Sequence, residues 1–580
     1  MGGLPRTEGS PKVEYCSEIR QESLTVQNLI LETRPSVRAT ASLYVPAGTT
    51  KMTPAILFLC GHSPEGRMFP RYQTVSRILA SRGFLVLALD PTGQGERLNY
   101  YDPTSETLRI RAATGDHEYA GLQCLLQGHN ISRYMLHDAM RAVDFLATHP
   151  LVDASRIGIT GNSGGGTQTT LMMVLESRLA AAAPGTFVSS RRVIFDSGYA
   201  QDAEQVWPGF SEEGYDHLDL LMAFTPKPLC ILGVEYDFFP IEGTRATVER
   251  ARRFWELFGR GECLRSVEDR ARHGYTDALG YAAADFFVEA FRFDPPKVKG
   301  NLPPLPDRDL WATKTGQILG DFPDSQTIFD ENRKALSSKA PDPAQALDFL
   351  RKAVFKARQP ADANLRITRE FPLANFVAFS GFWWSQTGLI NSGILLRDAD
   401  TRSTLTPVTV ALWEDGSRAI LRHDSWIRSE IGSGRAVLVL NVTGMGPLEP
   451  HPFKLNGDPK IHYGTFFRIN DDLITLGDSF AALRTYDVLR SLDALRQWEG
   501  LNAKDVRLFL HGSYGIYGAL ASLLEDRLKD VRWIEPMRPY KEILQSQYYN
   551  DWDIKSLILP GLVRWADWNE IRDSLIGGAH

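Results

Sequence analysis

Ser163 lies in a glycine-rich pentapeptide, Gly161-Asn162-Ser163-Gly164-Gly165, directly after the apolar run RIGIT (156–160). The pattern G-x-S-x-G is typical of a strained strand-to-helix turn that exposes a serine hydroxyl, because small flanking residues permit its backbone. A phosphate loop needs a Lys after the glycines, and a dinucleotide-binding turn needs G-x-G-x-x-G in the first βα unit. Neither pattern fits, so the turn indicates a nucleophilic serine.

A nucleophilic serine needs a neutral imidazole to accept its proton and a carboxylate to orient that imidazole. At a turn of this type, the acid and the His follow the serine in that chain order. Asp237 follows an apolar run in PLCILGVEYDFFP, and His273 comes 36 residues later in EDRARHGYT. We therefore predict the triad Ser163, Asp237 and His273.

Other residues could supply the acid and the base. Asp196 and Glu235 are the competing acids, and His217 and His62 are the competing bases. Asp196 followed by His217 would leave only a short segment between them, so this pair ranks below Asp237 and His273.

Acyl transfer also needs backbone N–H donors for the oxyanion, one from the residue after the serine and one from the loop after an early strand. Gly164 supplies the first donor. The loop FLCGHSPEG (58–66) supplies the second, which we assign to the backbone N–H of His62.

Two further loops could contact a ligand. In ALDPTGQGER (88–97), Asp90 and Arg97 are predicted to hold the loop in place rather than to bind substrate. The segment 199–219 lies between the serine and the acid and carries four candidate substrate-binding residues. Trp207 and Tyr215 could stack on a sugar ring, and Asp202 and Glu204 could bond its hydroxyls; packing is the alternative for the aromatic residues.

The apolar pattern indicates the elements that hold these residues. Residues 24–46 alternate apolar and polar, which predicts an antiparallel pair. Continuous apolar runs at 55–60, 84–89, 156–160 and 228–234 are typical of strands buried on both faces of a parallel sheet. Helical stretches lie between them, so the predicted fold class is α/β, a doubly wound, mostly parallel sheet.

A Pro-rich stretch at 293–309 suggests a domain boundary, as expected for a chain of 580 residues. We predict a catalytic domain over 1–295, a linker and helical segment over 296–375, and a second domain over 376–580. The segment 379–388, rich in aromatic residues, is predicted to be buried by packing against the first domain rather than to bind carbohydrate.

The second half repeats features of the first. Residues 436–449 resemble 84–97, and 487–495 resemble 138–146, in the same order. Counting 25 residues from Asp138 gives Ser163, and the same count from Asp487 gives Gly512. His511 and Ser513 lie beside Gly512, but no acid and His pair follows in the required order. We therefore predict a tandem repeat whose second copy is non-catalytic.

Composition excludes several function classes. A net charge of -6 gives no reason to expect a nucleic-acid partner, and no apolar run is long enough for a membrane span. The five cysteines show no C-x-x-C spacing, which fits reduced thiols. His129 and His137 are eight residues apart and do not form a metal motif. No metal and no cofactor are expected. The chain is expected to be cytoplasmic as given, or secreted or periplasmic if a signal has been removed, and an oligomer is compatible with the sequence.

The motifs CGH, DPTGQGER, GNSGGG, EYDFF and RHGY, over about residues 25–290, resemble the α/β-hydrolase superfamily, and within it acetyl xylan esterases and cephalosporin C deacetylases. The chain also resembles bacterial members in which a degenerate hydrolase-like half follows the first. The resemblance implies the same triad and oxyanion hole. The family usually has Tyr where this chain has His62 and often Gln where it has Gly164, which affects substrate contacts rather than the backbone donors.

The residues and the resemblance together predict a serine carboxylesterase that removes small acyl groups, acetyl above all, from carbohydrates or related polyols. A serine peptidase or amidase and a uronic-acid methyl esterase are alternatives on the same triad. A non-enzymatic scaffold is the alternative from another class.

Overall fold

The computed structural model describes residues 2–7, 9–199, 201–295, 303–336, 340–356, 358–373, 375–401, 405–451 and 460–577. These residues form two compact units, each with its own sheet. The first unit comprises residues 1–125 and 129–335, and the second comprises residues 126–128 and 336–580.

The first unit is built on a nine-stranded sheet with the order β1-β2-β3-β5-β4-β8-β9-β10-β11. Its strands are Lys12–Arg20 (β1), Leu24–Arg34 (β2), Val37–Pro46 (β3), Thr53–Leu59 (β4), Leu85–Leu89 (β5), Val152–Asn162 (β8), Leu179–Gly185 (β9), Leu229–Tyr236 (β10) and Leu264–Arg272 (β11), and a separate short hairpin pairs Tyr101–Asp102 (β6) with Thr107–Leu108 (β7). Strands β1, β2, β3 and β5 pair antiparallel, and every later pairing in the sheet is parallel. The predicted mostly parallel α/β sheet is confirmed.

Helices cover both faces of this sheet. They are Pro70–Ser81 (α1), Thr114–Leu126 (α2), Ser132–Thr148 (α3), Gly164–Leu175 (α4), Arg191–Ser197 (α5), His217–Met222 (α6), Ile241–Leu257 (α7), Asp277–Ala290 (α8), Ile318–Asp321 (α9) and Ile328–Ala335 (α10). One apolar cluster packs α3, α4 and α7 against the sheet, and a second packs α1 and α8. The central strands β4 and β5 are buried along their whole length, because helices lie on either side of them.

The segment 307–335 packs on the first sheet. The side chain of Glu96 is completely buried, and its carboxylate accepts hydrogen bonds from the backbone N–H of Ala312 and Thr313 at 2.8 Å each and from the hydroxyl of Thr313 at 2.5 Å. Arg34 forms a two-pronged ion pair with Glu331 in α10, at 2.6 and 2.8 Å. This part of the predicted linker therefore belongs to the first unit, and residues 296–302 of the Pro-rich stretch lie outside the described residues.

The second unit contains a seven-stranded sheet with the order β12-β13-β14-β16-β15-β17-β18. Its strands are Arg366–Leu373 (β12), Phe376–Gln386 (β13), Leu389–Asp398 (β14), Thr406–Leu412 (β15), Ala436–Asn441 (β16), Leu501–His511 (β17) and Val531–Ile534 (β18). Its helices are Pro343–Phe355 (α11), Asp424–Gly432 (α12), Thr465–Thr475 (α13), Phe480–Gln497 (α14), Ile516–Ser522 (α15), Tyr540–Gln545 (α16), Ile554–Leu557 (α17) and Trp568–Gly577 (α18). A second sheet domain is present, as predicted.

The aromatic stretch 379–388 forms part of β13. Trp383 is completely buried there, in keeping with packing rather than ligand binding. None of the helices in the described ranges combines the length and the apolarity that crossing a lipid bilayer requires.

Candidate active site

Ser163 is the turn residue between β8 and α4. Its backbone has φ 56° and ψ −119°, a conformation that costs a non-glycine residue on the order of 1–3 kcal/mol. The backbone N–H of Ser163 donates to the carbonyl of Gly185 at 3.0 Å and to the Thr186 hydroxyl at 3.2 Å, which holds the turn against the end of β9. The serine side chain thus stands at the carboxyl edge of the sheet.

Two glycines of the pentapeptide are required by close backbone contacts. A Cβ atom on Gly161 would lie 2.5 Å from the carbonyl oxygens of Leu59 and Gly165, and a Cβ on Gly165 would lie 2.0 Å from the oxygen of Leu59. The end of β4 therefore packs directly against the serine turn, and only residues without a side chain fit there.

The loop after β4 also contacts the turn. A Cβ on Gly61 would lie 2.2 Å from the carbonyl oxygen of Asn162, and a Cβ on Gly164 would lie 2.7 Å from Cε1 of His62. Within the described residues, the backbone N–H groups of His62 and Gly164 donate to no acceptor. Two unpaired donors thus lie on the segments that meet at Ser163.

Asp237 and His273 are bonded to each other. Nδ1 of His273 lies 2.8 Å from Oδ1 of Asp237, and the backbone N–H of Phe239 donates to the same oxygen at 3.1 Å. The Asp237 side chain is almost fully buried, whereas 22% of the His273 side chain is exposed. Phe238 stacks on the imidazole with 4.1 Å between ring centroids. The sequence analysis did not single out Phe238, although it lies next to the predicted acid.

The strand order brings the three predicted residues to one edge. Ser163 follows β8, Asp237 follows β10 and His273 follows β11, and these parallel strands run side by side through β9. No hydrogen bond joins the Ser163 hydroxyl to His273 within the described ranges, and such bonds are often long before substrate binds.

The competing acids and bases lie in other environments. Asp196 lies on α5 and forms an exposed ion pair with Arg192 at 2.7 Å, and Glu235 lies 3.6 Å from Arg270. His217 is completely buried, and its Nδ1 accepts a hydrogen bond from the backbone N–H of Ser189 at 3.0 Å. Burial and the charge of Arg191 lower the pKa of His217 well below its usual range.

The loop 88–97 has the supporting role that the sequence indicates. Asp90 accepts hydrogen bonds from the Thr40 hydroxyl at 2.6 Å and from the backbone N–H of Arg67 at 2.7 Å. Arg97 donates to the carbonyl of Asp90 at 2.8 Å and to the carboxylate of Asp138 at 2.7 Å. All of these groups are buried, so they stabilise the loop rather than face a ligand.

His62 lies in a cluster of ionisable groups that the sequence analysis missed. Its Nε2 is 3.1 Å from Nδ1 of His117 and 3.1 Å from Oε1 of Glu204, and its Nδ1 is 3.3 Å from Oδ2 of Asp202. Burial alone would lower the pKa of His62, but Glu204 and Asp202 outweigh it and raise that pKa to about 9. Likewise, burial would raise the pKa of Glu204, but His62 and His117 hold it well below its usual range.

This cluster differs from the sequence-based view in two respects. Asp202 and Glu204, predicted to bond substrate hydroxyls, are buried and face His62 instead. Spacing revealed no metal motif, yet His62, His117 and Glu204 bring three possible ligand atoms within 4.8 Å of one another. Because these residues are 55 and 87 positions apart in the chain, no local pattern could have revealed them.

The two aromatic residues of segment 199–219 also lie differently from a sugar platform. Trp207 is 3% exposed and packs on Phe210, and its indole N–H donates to the carbonyl of Glu204 at 2.7 Å. Tyr215 is 54% exposed and lies beside Phe210. Of the pair, only Tyr215 is exposed to solvent.

The second unit holds a cavity of about 500 Å³ at the carboxyl ends of β15 and β17. Its lining includes His423, His511, Ser513, Glu535 and Trp552. The carboxylate of Glu535 lies 3.8 Å from the imidazole of His511, which is too long for a hydrogen bond.

Comparisons with known proteins bear on the first unit. Residues 11–203 match the sequence profile of the family described as "Acetyl xylan esterase (AXE1)", a range that includes Ser163 and ends before Asp237 and His273. The chain is 24% identical over 303 residues to "Putative hydrolase YtaP" of Bacillus subtilis, covering 49% of this chain and 94% of that protein.

Solved structures give weaker similarities. "Methylesterase BT1017" has a TM-score of 0.46 at 21% identity, covering 57% of this chain and 69% of that one. Acetyl Xylan Esterase 1 from Thermoanaerobacterium sp. has a TM-score of 0.35 at 20% identity, covering 49% and 89% of the two chains. The match over residues 11–203 agrees with the predicted resemblance to acetyl xylan esterases and supports a carboxylic ester hydrolase.

Proposed function

We propose that the chain is a serine carboxylesterase that removes small acyl groups, acetyl above all, from carbohydrates or related polyols. Ser163 is the nucleophile, His273 the general base and acid, and Asp237 the orienting carboxylate. The backbone N–H groups of His62 and Gly164 form the oxyanion hole. One observation carries this proposal: the bonded Asp237–His273 pair lies at the same sheet edge as the strained Ser163.

The carboxylate prepares the imidazole for its role. A carboxylate only accepts hydrogen bonds, so Asp237 fixes the proton of neutral His273 on Nδ1 and leaves the lone pair on Nε2. The stacked ring of Phe238 limits rotation of the imidazole. The partial exposure of His273 leaves Nε2 accessible to the serine and to a leaving alcohol.

The reaction then runs in two halves. Oγ of Ser163 attacks the ester carbonyl while His273 Nε2 accepts the hydroxyl proton, which gives a tetrahedral oxyanion. The C–O bond to the alcohol breaks, the imidazolium returns the proton to the leaving oxygen, and the acyl group remains on Ser163. Water, deprotonated by the same Nε2, attacks the acyl-serine; the acyl C–Oγ bond breaks, the imidazolium returns the proton to Oγ of Ser163, and the acid is released.

The oxyanion has two N–H donors available. The backbone N–H groups of His62 and Gly164 have no other acceptor among the described residues, and Gly164 begins α4, where the helix dipole favours negative charge. One such donor typically contributes about 10²–10³-fold to kcat.

Support for the substrate class comes from the family match over residues 11–203. Uronic-acid methyl esters and amides remain the alternatives on the same triad. Hydrolysis of acetylated xylo-oligosaccharides, methyl glucuronate and an aminoacyl p-nitroanilide, compared at equal enzyme concentration, separates the three classes. We expect the acetylated substrates to have the highest kcat/KM. A higher kcat/KM for either rival substrate would reassign the substrate class.

The serine assignment is tested with a fluorophosphonate probe and with p-nitrophenyl acetate. The Ser163→Ala variant should lose probe labelling, and its kcat should fall by about 10⁴–10⁶-fold, because the nucleophile is gone. Ser513→Ala, at the corresponding turn of the second unit, is the matched control and should change neither readout. Labelling that persists in Ser163→Ala, or a wild-type chain that is never labelled, would refute the proposal.

A further inference from the structure

Ligand groups of three residues meet beside the serine turn. Nε2 of His62 lies 3.1 Å from Nδ1 of His117 and 3.1 Å from Oε1 of Glu204, and Nδ1 of His117 lies 3.4 Å from Oε2, the other oxygen of the same carboxylate. Tetrahedral coordination with bonds of roughly 2.0–2.1 Å, the lengths found for zinc, separates ligand atoms by about 3.3 Å. Each of these three contacts is close to that spacing, and one ligand atom from each residue lies within 4.8 Å of the other two.

The second nitrogen of each imidazole faces an acceptor. Nε2 of His117 lies 2.8 Å from the carbonyl oxygen of Thr92, which only accepts, so this nitrogen carries the proton and Nδ1 of the neutral ring has the lone pair. Nδ1 of His62 lies 3.3 Å from the carboxylate of Asp202, so in the neutral ring, the form that binds a metal, the proton is on Nδ1 and the lone pair on Nε2. Metal-binding histidines are typically oriented in this way by a carbonyl and a carboxylate.

These lone pairs converge on a buried carboxylate. Glu204 and His117 are completely buried, and within the described residues neither oxygen of Glu204 accepts a hydrogen bond of good geometry. Two imidazole nitrogens and a carboxylate at these distances need a positive charge among them, which either a second proton on His62 or a metal ion in place of that proton supplies. The charges of Glu204 and Asp202 together balance those of a divalent ion.

We propose that His62, His117 and Glu204 bind a divalent transition-metal ion, Zn²⁺ by preference, at a buried site beside the serine turn. Two imidazoles and one carboxylate are borderline-soft ligands that suit Zn²⁺, whereas Mg²⁺ and Ca²⁺ prefer sites made entirely of oxygen.

The ion would connect three segments of the first unit: the loop after β4, helix α2 and the turn that carries Glu204. The ring of His62 lies against Gly164, so fixing this ring fixes both segments that carry the unpaired N–H donors. His62, His117 and Glu204 are therefore positioning residues. This role, unlike the metal site itself, rests on the proposed esterase activity.

Metal content of the full chain tests the site directly. Wild-type protein, stripped with dipicolinate and incubated with Zn²⁺, should retain about one ion per chain after gel filtration, measured by plasma mass spectrometry. Glu204→Gln and His117→Asn should lose that ion. Glu176→Gln, which alters another buried carboxylate, and Ser163→Ala should keep it. Fluorophosphonate labelling, measured in parallel, reports on the esterase proposal separately from the metal.

Co²⁺ substitution gives a second readout that does not depend on the variants folding. The wild-type chain loaded with Co²⁺ should show the intense visible bands of four- or five-coordinate cobalt, and added Zn²⁺ should remove them. Weak octahedral bands would overturn the proposal, as would a wild-type chain without stoichiometric Zn²⁺ or a folded Glu204→Gln variant that keeps its ion. A metal-free wild-type chain would mean that a proton shared between His62 and His117 holds the cluster together.

Discussion

The sheets of the two units share one strand order over seven strands, and the first sheet then has two further strands. In the order β1-β2-β3-β5-β4-β8-β9, each pairing has the same direction as its counterpart in β12-β13-β14-β16-β15-β17-β18. The first sheet continues with β10 and β11, whereas β18 is the last strand within the described part of the second unit. Asp237 and His273 follow the two additional strands.

The turn after the central strand has a positive φ in both units but a different residue. Ser163 follows β8 with φ 56°, and Gly512 follows β17 with φ 66°. A positive φ costs little for glycine and more for serine. The first unit retains the strained residue that bears a hydroxyl, and the second has the residue that relieves the strain.

The glycine-containing loop after β5 and the corresponding loop after β16 also have similar backbone angles. Gly93 and Gly95 have φ 76° and 58°, and Gly444 and Gly446 have φ 75° and 58°. Such agreement between corresponding turns favours the predicted duplication. The two units thus share a strand arrangement, and the residues proposed to carry out the chemistry lie on the first.

The largest expected difference between the units lies in catalysis. Asp237→Asn should lower kcat/KM for p-nitrophenyl acetate by about 10⁴-fold, because the amide favours the wrong imidazole tautomer. Glu535→Gln alters the carboxylate nearest His511 in the second unit and should leave kcat/KM unchanged. Comparable losses in both variants would show that the second unit takes part in the reaction.

A smaller difference is expected in the free energy of unfolding, through Asp138 and its counterpart Asp487. Burial would raise the pKa of Asp138, but Arg34 and Arg97 hold it well below the usual range; burial raises the pKa of Asp487. Asp138→Asn should cost about 3–5 kcal/mol near neutral pH, because it removes the buried carboxylate that Arg34 and Arg97 share. Asp487→Asn should cost about 1 kcal/mol or less, because Asn resembles the neutral acid that the site favours.

The contributions of Asp138 and Asp487 to the free energy of unfolding should change with pH in opposite directions. Asp138 contributes stability above its unfolded pKa of about 3.9, and that contribution is lost as the pH falls further. Asp487 has a raised pKa, so its ionisation destabilises the fold, and this penalty disappears as the pH falls through that value. Urea unfolding at pH 7 and below pH 4 measures both effects, and equal costs at pH 7 would contradict the contrast.

The smallest effects should be shared by the two units. A Cβ on Gly95 would lie 2.6 Å from the carboxylate of Asp90, and a Cβ on Gly446 would lie 2.4 Å from Oδ1 of Asn441. Gly95→Ala and Gly446→Ala should each lower the unfolding free energy by about 1–3 kcal/mol, through strain at a positive φ together with the close contact of the new Cβ. Gly48→Ala, also at a positive φ but with open space around the new Cβ, is the control and should cost less. Sensitivity at only one of the two turns would argue against a shared architecture.

Much of the first sheet could be predicted from the sequence, because its central strands are continuous apolar runs. β9 could not, since LAAAAPG has little of the β-branched or aromatic character of a strand. β11 was also missed, because most of its residues are charged or polar and it lies at the sheet edge. β1, a further edge strand, lies outside the antiparallel pair that alternation predicted at 24–46.

In the candidate site, too, some residues could be predicted from the sequence and others could not. The serine turn has a local pattern, because backbone strain restricts the neighbouring residue types to small ones. The acid and the His follow from chain order. His117 has no such signal: it lies within α2 and reaches His62 and Glu204 only through the tertiary fold.

The contacts of Glu96 limit where a fragment that contains the first unit can end. A fragment ending at residue 295 would strip this buried carboxylate of the donors on Ala312 and Thr313 and open the strand ends to water. Losing hydrogen bonds to a buried charge costs several kcal/mol, about the stability margin of many domains. Recombinant fragments of the hydrolase half should therefore run to residue 335, where the first compact unit ends.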